Sequence, residues 1–464
     1  MIPYAPEAYD LLHQGTIALA KVEAAGIRVD VDYLERSVRR TRGQIERMTE
    51  ELETTETMKV WRKAYGGKTK IASGDQLGDV LFNRMGLVCP KKTTTGKNST
   101  DEDVLEQIDD PFVKMLLKIR KLQKALTTNL RGLLRETVDG YIHPMFDLNT
   151  AATYRSSSQS PNFQNLPIRD PEQGRLIRSA FIPRAPDRQI VEVDYKALEV
   201  NIAACYHKDP KMLDYITDPS KDMHRDMAME CFLLPAEQVT KDIRFWGKSG
   251  FVFPQFYGDY YIDCAQSMWS EMNKASLKLK NGTLLREHLL SKGIRELGDL
   301  DPREDPRPGT FEGHIKQVEK RFWGDRFPVY AKWRKDWYTK YQEQGWFLTL
   351  TGFICQGFMR RNEVINYGVQ GSAFHCLLWS LIRIAQREIQ KRKMGALIVG
   401  QIHDSLVGDV PSSEVPEFVA MCQDVMTRIL LRRWRWIIIP LTVEFEIAPP
   451  GRPWSEKAPY KVAS

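Results

Sequence analysis

The sequence predicts an α+β fold in which a sheet is interrupted by a large helical insertion. Strand signals begin near 141 and recur at 177–182 and 189–195; helical periodicity dominates from 197 to about 390. Strands return at 396–410, and a last one is expected from Ile437 to Ile447. Two of these apolar runs each carry an aspartate, Asp194 in Ile190 to Tyr195 and Asp404 in Leu397 to Val407. A carboxylate inside an apolar β run is expensive to bury unless something cationic pairs with it.

The elements follow in order. Residues 5–60 read as helix with one break at Gly26 to Asp30, after which Asp30 or Asp32 caps the next helix. The polar, basic stretch Pro90 to Thr100 has no apolar periodicity and reads as an exposed loop. Ser99 or Thr100 then caps a helix with Glu102 and Asp103 in its first turn. Residues 110–138 form a long basic amphipathic helix, whose charge taken alone reads equally well as a solvated face. Within 259–318, Lys278 to Gly282 and the Pro-rich, charged run Asp299 to Gly309 suggest a long surface loop.

At 464 residues the chain has room for several domains and a large core. Its net charge of +7 and pI near 8.8 suit a polyanionic partner without requiring one. No apolar run approaches membrane-spanning length, and the N-terminus lacks the basic-then-apolar order of a signal peptide. Seven scattered cysteines without a Cys-x-x-Cys pair predict a reduced, cytoplasmic protein without structural zinc.

Between the two aspartates lie Arg244 and Lys248, then Phe256, Tyr257 and Gly258. A spacing of four puts both cations on one helical face. Two strand-borne carboxylates and a cationic helix face are the parts needed for two-metal phosphoryl transfer.

These residues, with others in order, resemble the family A (Pol I-like) DNA polymerases over nearly the whole length. Glu23 to Asp30 is similar to the opening of that family's thumb, and Lys91 to Gly96 with Ser99 and Thr100 to its tip. Arg155 to Pro167 resembles the palm segment lining the minor groove, and Asp194 to Glu199 the first catalytic motif. Asp222 to His224 resembles the segment before the fingers' O helix, and Arg244 to Gly258 that helix itself. Asn366 to Gly371 is similar to the template-contacting segment, and His403 with Asp404 to the last catalytic motif.

The resemblance implies a right-hand polymerase fold with a helical thumb, an antiparallel-sheet palm and helical fingers. The thumb would span 1–145, the first part of the palm 146–206, the fingers 207–366 with an insertion at about 259–318, and the second part of the palm 367–464. It implies a DNA-directed DNA polymerase extending a primer 3′-hydroxyl with dNTPs. Asp194, Asp404 and the Tyr195 carbonyl would hold two Mg2+ ions, with Mn2+ a possible substitute. Arg244, Lys248 and His224 would hold the triphosphate, with Lys248 also the general acid. Glu199 would be the steric gate against a ribose 2′-hydroxyl, Tyr257 would stack at the nascent pair, and Phe253 or Val252 would pack on the sugar. Lys91, Lys92 and Thr95 would grip duplex backbone. Arg155, Asn162, Gln164, Asn165, Asn366 and Gln370 would contact DNA near the terminal pairs, and His403 the primer terminus.

Three departures accompany the resemblance. Lys248 to Tyr257 is one residue longer than the family's spacing, and Pro254 within it should kink or break the helix. Ser405 stands where most of the family has Glu, as in the related single-subunit RNA polymerases. The thumb-like segment starts at Glu23, leaving no room for a preceding 3′–5′ exonuclease domain. The expectation is a monomeric, compact, viral or phage-like polymerase that does not proofread. It would bind primer–template DNA in the cytoplasm (the host's, if viral) and not a membrane, beside a separate exonuclease or processivity factor. A DNA-dependent RNA polymerase and an inactive DNA-binding scaffold are the alternatives, opposed by Glu199 and by the intact Asp194, Arg244, Lys248 and Asp404.

Overall fold

The computed structural model describes residues 1–93, 95–167, 170–274 and 276–462, and leaves out the side chains of 273 and 274. Helices α1 (Pro6–Ala25) and α2 (Val31–Glu53) flank the expected break; Asp30, and not Asp32, caps α2 by accepting the Tyr33 N–H at 2.8 Å. The expected basic helix is real: α3 (Pro111–Lys124) runs on through a π turn at Ala125–Leu130 to Glu136. Its apolar face joins Trp61, Leu77, Val80 and Leu81 in a small core of its own. The short helix Glu102–Leu105 starts after Asp101, so neither Ser99 nor Thr100 is its cap residue. α1 differs from expectation. Its Leu11, Ala18, Leu19 and Val22 lie in the core behind the central sheet, so it packs with the palm elements and not with the rest of the thumb-like segment.

The central sheet has five antiparallel strands: β1 (Arg188–Tyr195), β2 (Leu397–Ile402), β3 (Ser405–Pro411), β4 (Val443–Ile447) and β5 (Ala458–Tyr460). Their order is β5-β4-β1-β3-β2, which places β1 at the centre. Three strand expectations need correction. Residues 177–182 are the end of a helix (Pro171–Arg178) capped by Asp170, with only a single bridge from Phe181 to Val29. The run 396–410 is two strands and a tight turn. The last strand begins at Val443, because Pro440 cannot donate to a ladder.

α4 (Leu198–His207) leaves the sheet at Ala197, which is in the left-handed region. The fingers elements then have their own core: α5 (Met223–Phe232), α6 (Lys241–Gly247), α7 (Phe253–Tyr257), α8 (Tyr261–Lys274), α9 (Leu285–Ser291), α10 (Phe311–Arg321) and the start of α11 (Pro328–Gln344). The segment read as surface loop is largely structured. Leu277, Leu279, Leu285, Leu289 and Ile294 are buried in that core, although 276–284 and 292–310 run without helix or strand. α12 (Arg361–Arg383) and α13 (Val415–Asp424) cover the back of the sheet. No helix among the described residues is long and apolar enough to cross a membrane.

Candidate active site

Alternation along β1 sends Val191, Val193 and Tyr195 into the core behind the sheet and Glu192 and Asp194 to the front. The Tyr195 hydroxyl is fixed behind the sheet, donating to the Met426 carbonyl at 2.8 Å and lying 3.0 Å from the Ser380 hydroxyl. Asp404 is not inside a strand. It occupies, with His403, the two-residue turn between β2 and β3, closed by the pairing of Ile402 with Ser405; His403 takes φ +48° to make it. The Tyr195 N–H reaches the Asp404 carbonyl at 3.3 Å, so the turn is tied to the end of β1. Ser405 pairs in register with Asp194, is buried, and donates its hydroxyl to the Ile402 carbonyl at 2.9 Å. It closes the hairpin.

The two carboxylates are crowded. Enclosure by the protein, then repulsion from Asp404 and Glu192, pushes the Asp194 carboxyl up to about 7, although its side chain opens onto the cleft; Lys457 opposes the shift. Burial also raises Asp404, against the pull of Arg155 and His403. Burial, with Arg155, holds His403 below its usual range. No group of three or more His, Cys, Asp or Glu side chains with metal-binding geometry occurs among the described residues. The oxygen donors set side by side there are the two carboxylates. They fit hard divalent cations that take their remaining oxygens from substrate and water, and such ions would relieve the repulsion.

The helix bearing the cations is continuous, contrary to the break expected at Pro254. α6 passes into a π turn at Lys248–Val252 and then into α7. The wider turn takes up one residue, and the Phe253 N–H bonds the Lys248 carbonyl five residues back. Pro254 follows directly on the π turn, so its missing N–H falls where the helical ladder is already shifted. The π turn also separates Val252 from Phe253. Val252 is fully buried in the fingers core, whereas the Phe253 ring lies edge-on to His224 at 5.8 Å with the Lys248 ammonium 4.8 Å from its centroid. Gly247 lets α6 lie against α5, since a Cβ there would be 2.7 Å from the His224 carbonyl and from the Ala228 Cβ. Arg244 donates to Asp222 at 2.6 Å, and Asp222 also caps α5 through the Arg225 N–H. Burial, then Arg244 and Lys248, lowers His224 to about 4, leaving a neutral ring at neutral pH.

The far end of this helix is fastened at three points. The Tyr257 hydroxyl donates to Glu199 at 2.6 Å, the Tyr257 carbonyl accepts from Asn366 at 3.2 Å, and the Gly258 carbonyl accepts from Asn362 at 3.2 Å. Glu199 also forms an ion pair with Arg155. Arg155, Glu199 and Tyr257 thus make one chain linking the predicted groove, gate and stacking residues. A cleft of about 1000 Å3 opens beyond Gly258, beside Tyr260, Trp323 and Arg334, and neither aspartate lines it.

The other predicted DNA contacts divide. Gln164 is buried, its amide donating to Ser156 at 2.8 Å and to Gln401 at 2.6 Å, while Gln401 donates to the His403 carbonyl at 2.7 Å. It braces the His403–Asp404 turn through Gln401. Asn162 and Asn165 are exposed, Gln370 is half-buried, and a Cβ at Gly371 would lie 3.0 Å from the Thr153 carbonyl. Lys91, Lys92 and Thr95 are exposed on a small loop in which Lys92 bridges Asn98; Thr94 lies outside the described residues. Sequence reasoning gave no role to Asp222, Gln401, Asn362 or Glu444, which lies directly across β4 from Asp194. Period-two alternation would have put Glu192 beside Asp194. Nothing in the sequence marks the buried glutamines.

The family profile for DNA polymerase family A matches residues 38–281 and 326–456, leaving out the part of the chain that holds most of the insertion. DNA polymerase I of Bacillus subtilis is 28% identical over 438 residues, covering 93% of this chain and 44% of that protein. The thermostable DNA polymerase I of Thermus thermophilus is 28% identical over 442 residues, 92% of this chain and 46% of that protein. The chain thus spans less than half the length of these curated relatives. Among solved structures, the polymerase domain of Pol1 from M. smegmatis, in complex with DNA primer-template and dNTP, superimposes with a TM-score of 0.72 at 25% identity. The match covers 96% of this chain and 70% of that one. It bears out the expected α+β right-hand fold.

Proposed function

The chain belongs to DNA polymerase family A, and from that premise we propose that it is a template-directed DNA polymerase extending a primer 3′-hydroxyl with dNTPs. The observation that carries the reading is the placing of Asp194 and Asp404 side by side, at the end of the central strand and on the turn beside it, each carboxyl raised from its ordinary range. Asp194, Asp404 and the Tyr195 carbonyl would hold two Mg2+ ions, or Mn2+ in their place. When bound, these supply charge that makes the primer hydroxyl a better nucleophile and the pyrophosphate a better leaving group. Arg244, set by Asp222, and Lys248, set over Phe253, hold the triphosphate where negative charge grows. Lys248 can deliver a proton to the departing pyrophosphate. Tyr257 stacks at the nascent pair and hands its orientation to Glu199, whose carboxylate leaves little room for a 2′-hydroxyl. Lys91, Lys92 and Thr95 grip the duplex backbone. Arg155, Asn162, Asn165 and Gln370 face the terminal pairs, and His403 the primer terminus. The domain limits given above belong to the same reading, with α1 reassigned to the palm. So does the lack of 3′–5′ hydrolysis by these 464 residues in DNA replication or repair.

Extension of a labelled primer with deoxy- or ribonucleotides tests the reading. The wild type should extend with dNTPs. Asp194→Ala and Asp404→Ala should each lose at least a thousandfold in turnover while binding primer–template within about threefold of wild type. Near-normal turnover of either variant with Mg2+ would refute the metal assignment.

A further inference from the structure

Residues 425–442 contain four arginines and no acidic residue. This is the stretch between α13 and β4, and it includes the short helix α14 (Leu430–Arg433). Arg428 is taken up by Asp424, at 2.8 Å on one arm of the pair. Arg432 lies near that same, already paired carboxylate. Arg433 and Arg435 are exposed and make no ion pair or side-chain hydrogen bond among the described residues.

Tryptophans alternate with these cations. Trp434 and Trp436 are stacked at 5.5 Å with 26° between their planes, and Trp379 of α12 lies 6.3 Å from Trp434. All three rest on the palm core but are only partly covered, and Ile438 beside them is 47% exposed. After α14 the chain makes a turn, the Ile437 N–H bonding the Trp434 carbonyl at 3.0 Å, which sets Arg433, Trp434, Arg435 and Trp436 together on one short surface segment. The turn lies on the α12–α13 side of the sheet. Tyr195, which faces backward from β1, bonds to Met426 there, whereas Asp194 faces forward.

We propose that Arg433, Trp434, Arg435 and Trp436 form a second nucleic-acid contact, outside the cleft, that binds single-stranded DNA. Two cations without acidic partners among the described residues, beside a stacked pair of partly exposed indoles, offer a single strand both phosphate and base contacts. An ordinary surface would disperse such charge among acidic neighbours, and a core would cover the rings. Choosing DNA over another polyanion rests on the polymerase reading, since a polymerase working on a primed template always has an unpaired strand close by.

The experiment uses the full chain, first saturated with a blunt hairpin duplex to occupy the cleft, then titrated with fluorescein-labelled oligo-dT followed by anisotropy. Oligo-dT should bind the saturated protein. Trp434→Ala with Trp436→Ala, and separately Arg433→Gln with Arg435→Gln, should weaken that binding at least tenfold. Hairpin affinity and extension of a short hairpin primer should change less than twofold. The arginine pair should also lower the salt slope by about 1.4, at roughly 0.7 for each phosphate no longer neutralised. An oligomer of abasic phosphodiester units should bind at least tenfold more weakly than oligo-dT. Trp434→Phe with Trp436→Phe, which keeps the stacking faces, should retain most of the binding and guards against misfolding of the alanine pair. The proposal is overturned if saturated wild type ignores oligo-dT, if the abasic oligomer binds equally, or if both variant pairs bind like wild type. It is also overturned if poly-glutamate or phosphatidylglycerol vesicles occupy the patch and oligo-dT does not. A chain that fails to extend primers yet binds oligo-dT here would refute the polymerase reading and leave this site standing.

Discussion

At the scale of single residues, the two aspartates set both chemistry and cost. The Asp194 carboxyl has its pKa raised in the folded protein to about 7, against 3.8 ordinarily. Its stabilising contribution is therefore complete below pH 3.8 and is lost as pH rises through about 7, when the carboxylate must ionise beside Asp404. Asp194→Asn cannot ionise. Without divalent ions it should melt higher than wild type at about pH 8 and no differently below about pH 4; solvent in the open cleft keeps the gain small. Thermal melts at the two pH values check this, and a lower melting point for the variant on the alkaline side would contradict it. The same proton competes with a cation, so Mn2+ affinity of the DNA-free protein should fall by up to about tenfold per pH unit below about 7. Glu199 carries the second residue-scale prediction. Its carboxylate is pinned between Arg155 and Tyr257. If it blocks the 2′-hydroxyl, selection against ribonucleotides should be about a hundredfold to a thousandfold, roughly 3–4 kcal/mol of transition-state binding. Glu199→Ala should remove most of that and also lower dNTP use, because Tyr257 loses its anchor. Single-nucleotide kcat/KM values for matched deoxy and ribo substrates measure both effects, and a wild type that prefers ribonucleotides would refute the gate.

At the scale of elements, the packing of α5 on α6 positions the triphosphate residues. Gly247→Ala would drive a methyl group into the His224 carbonyl and Ala228. It should cost about 1–3 kcal/mol of stability and raise KM for dNTPs more than it lowers kcat, as steady-state kinetics and denaturant melts can show. How much of these elements could be read beforehand depends on whether a periodic signal marks them. β1 was legible because Val191, Val193 and Tyr195 alternate with Glu192 and Asp194. The hairpin at His403 was not, because strand-like residues lie on both sides of it and the turn uses a left-handed histidine in place of the usual Gly or Asn. The π turn was not either. One extra residue in a helix leaves only a spacing anomaly, and Pro254 suggested a break that the wider turn absorbs. The burial of Gln164 was not legible either, because polarity says nothing about burial when the partners, Ser156 and Gln401, are not adjacent in sequence.

At the scale of the whole molecule, the net charge of +7 is spread over separately built parts, each with a core: the palm with α1, the fingers with the insertion, and the region around α3. Lys91 and Lys92 stand at an exposed tip of the last of these. Replacing both by Ala should weaken binding to unrelated duplexes about equally and lower the salt slope by about 2, at roughly 0.9 for each phosphate left unneutralised. Anisotropy titrations over several salt concentrations test this, and a strongly sequence-dependent loss would count against it. The fingers helix joins two of these parts, since it packs in the fingers core through Phe256 and ends with Tyr257 bonded to Glu199 of the palm and to Asn366 of α12. Its π turn is, in a metallurgist's terms, a dislocation: one surplus unit in an otherwise regular lattice. A metal yields at a dislocation because the fault glides and no whole plane has to shear at once. A surplus residue passed along this helix would likewise exchange its hydrogen bonds one at a time, letting the Tyr257 end turn against the Arg244 end without unwinding the rod.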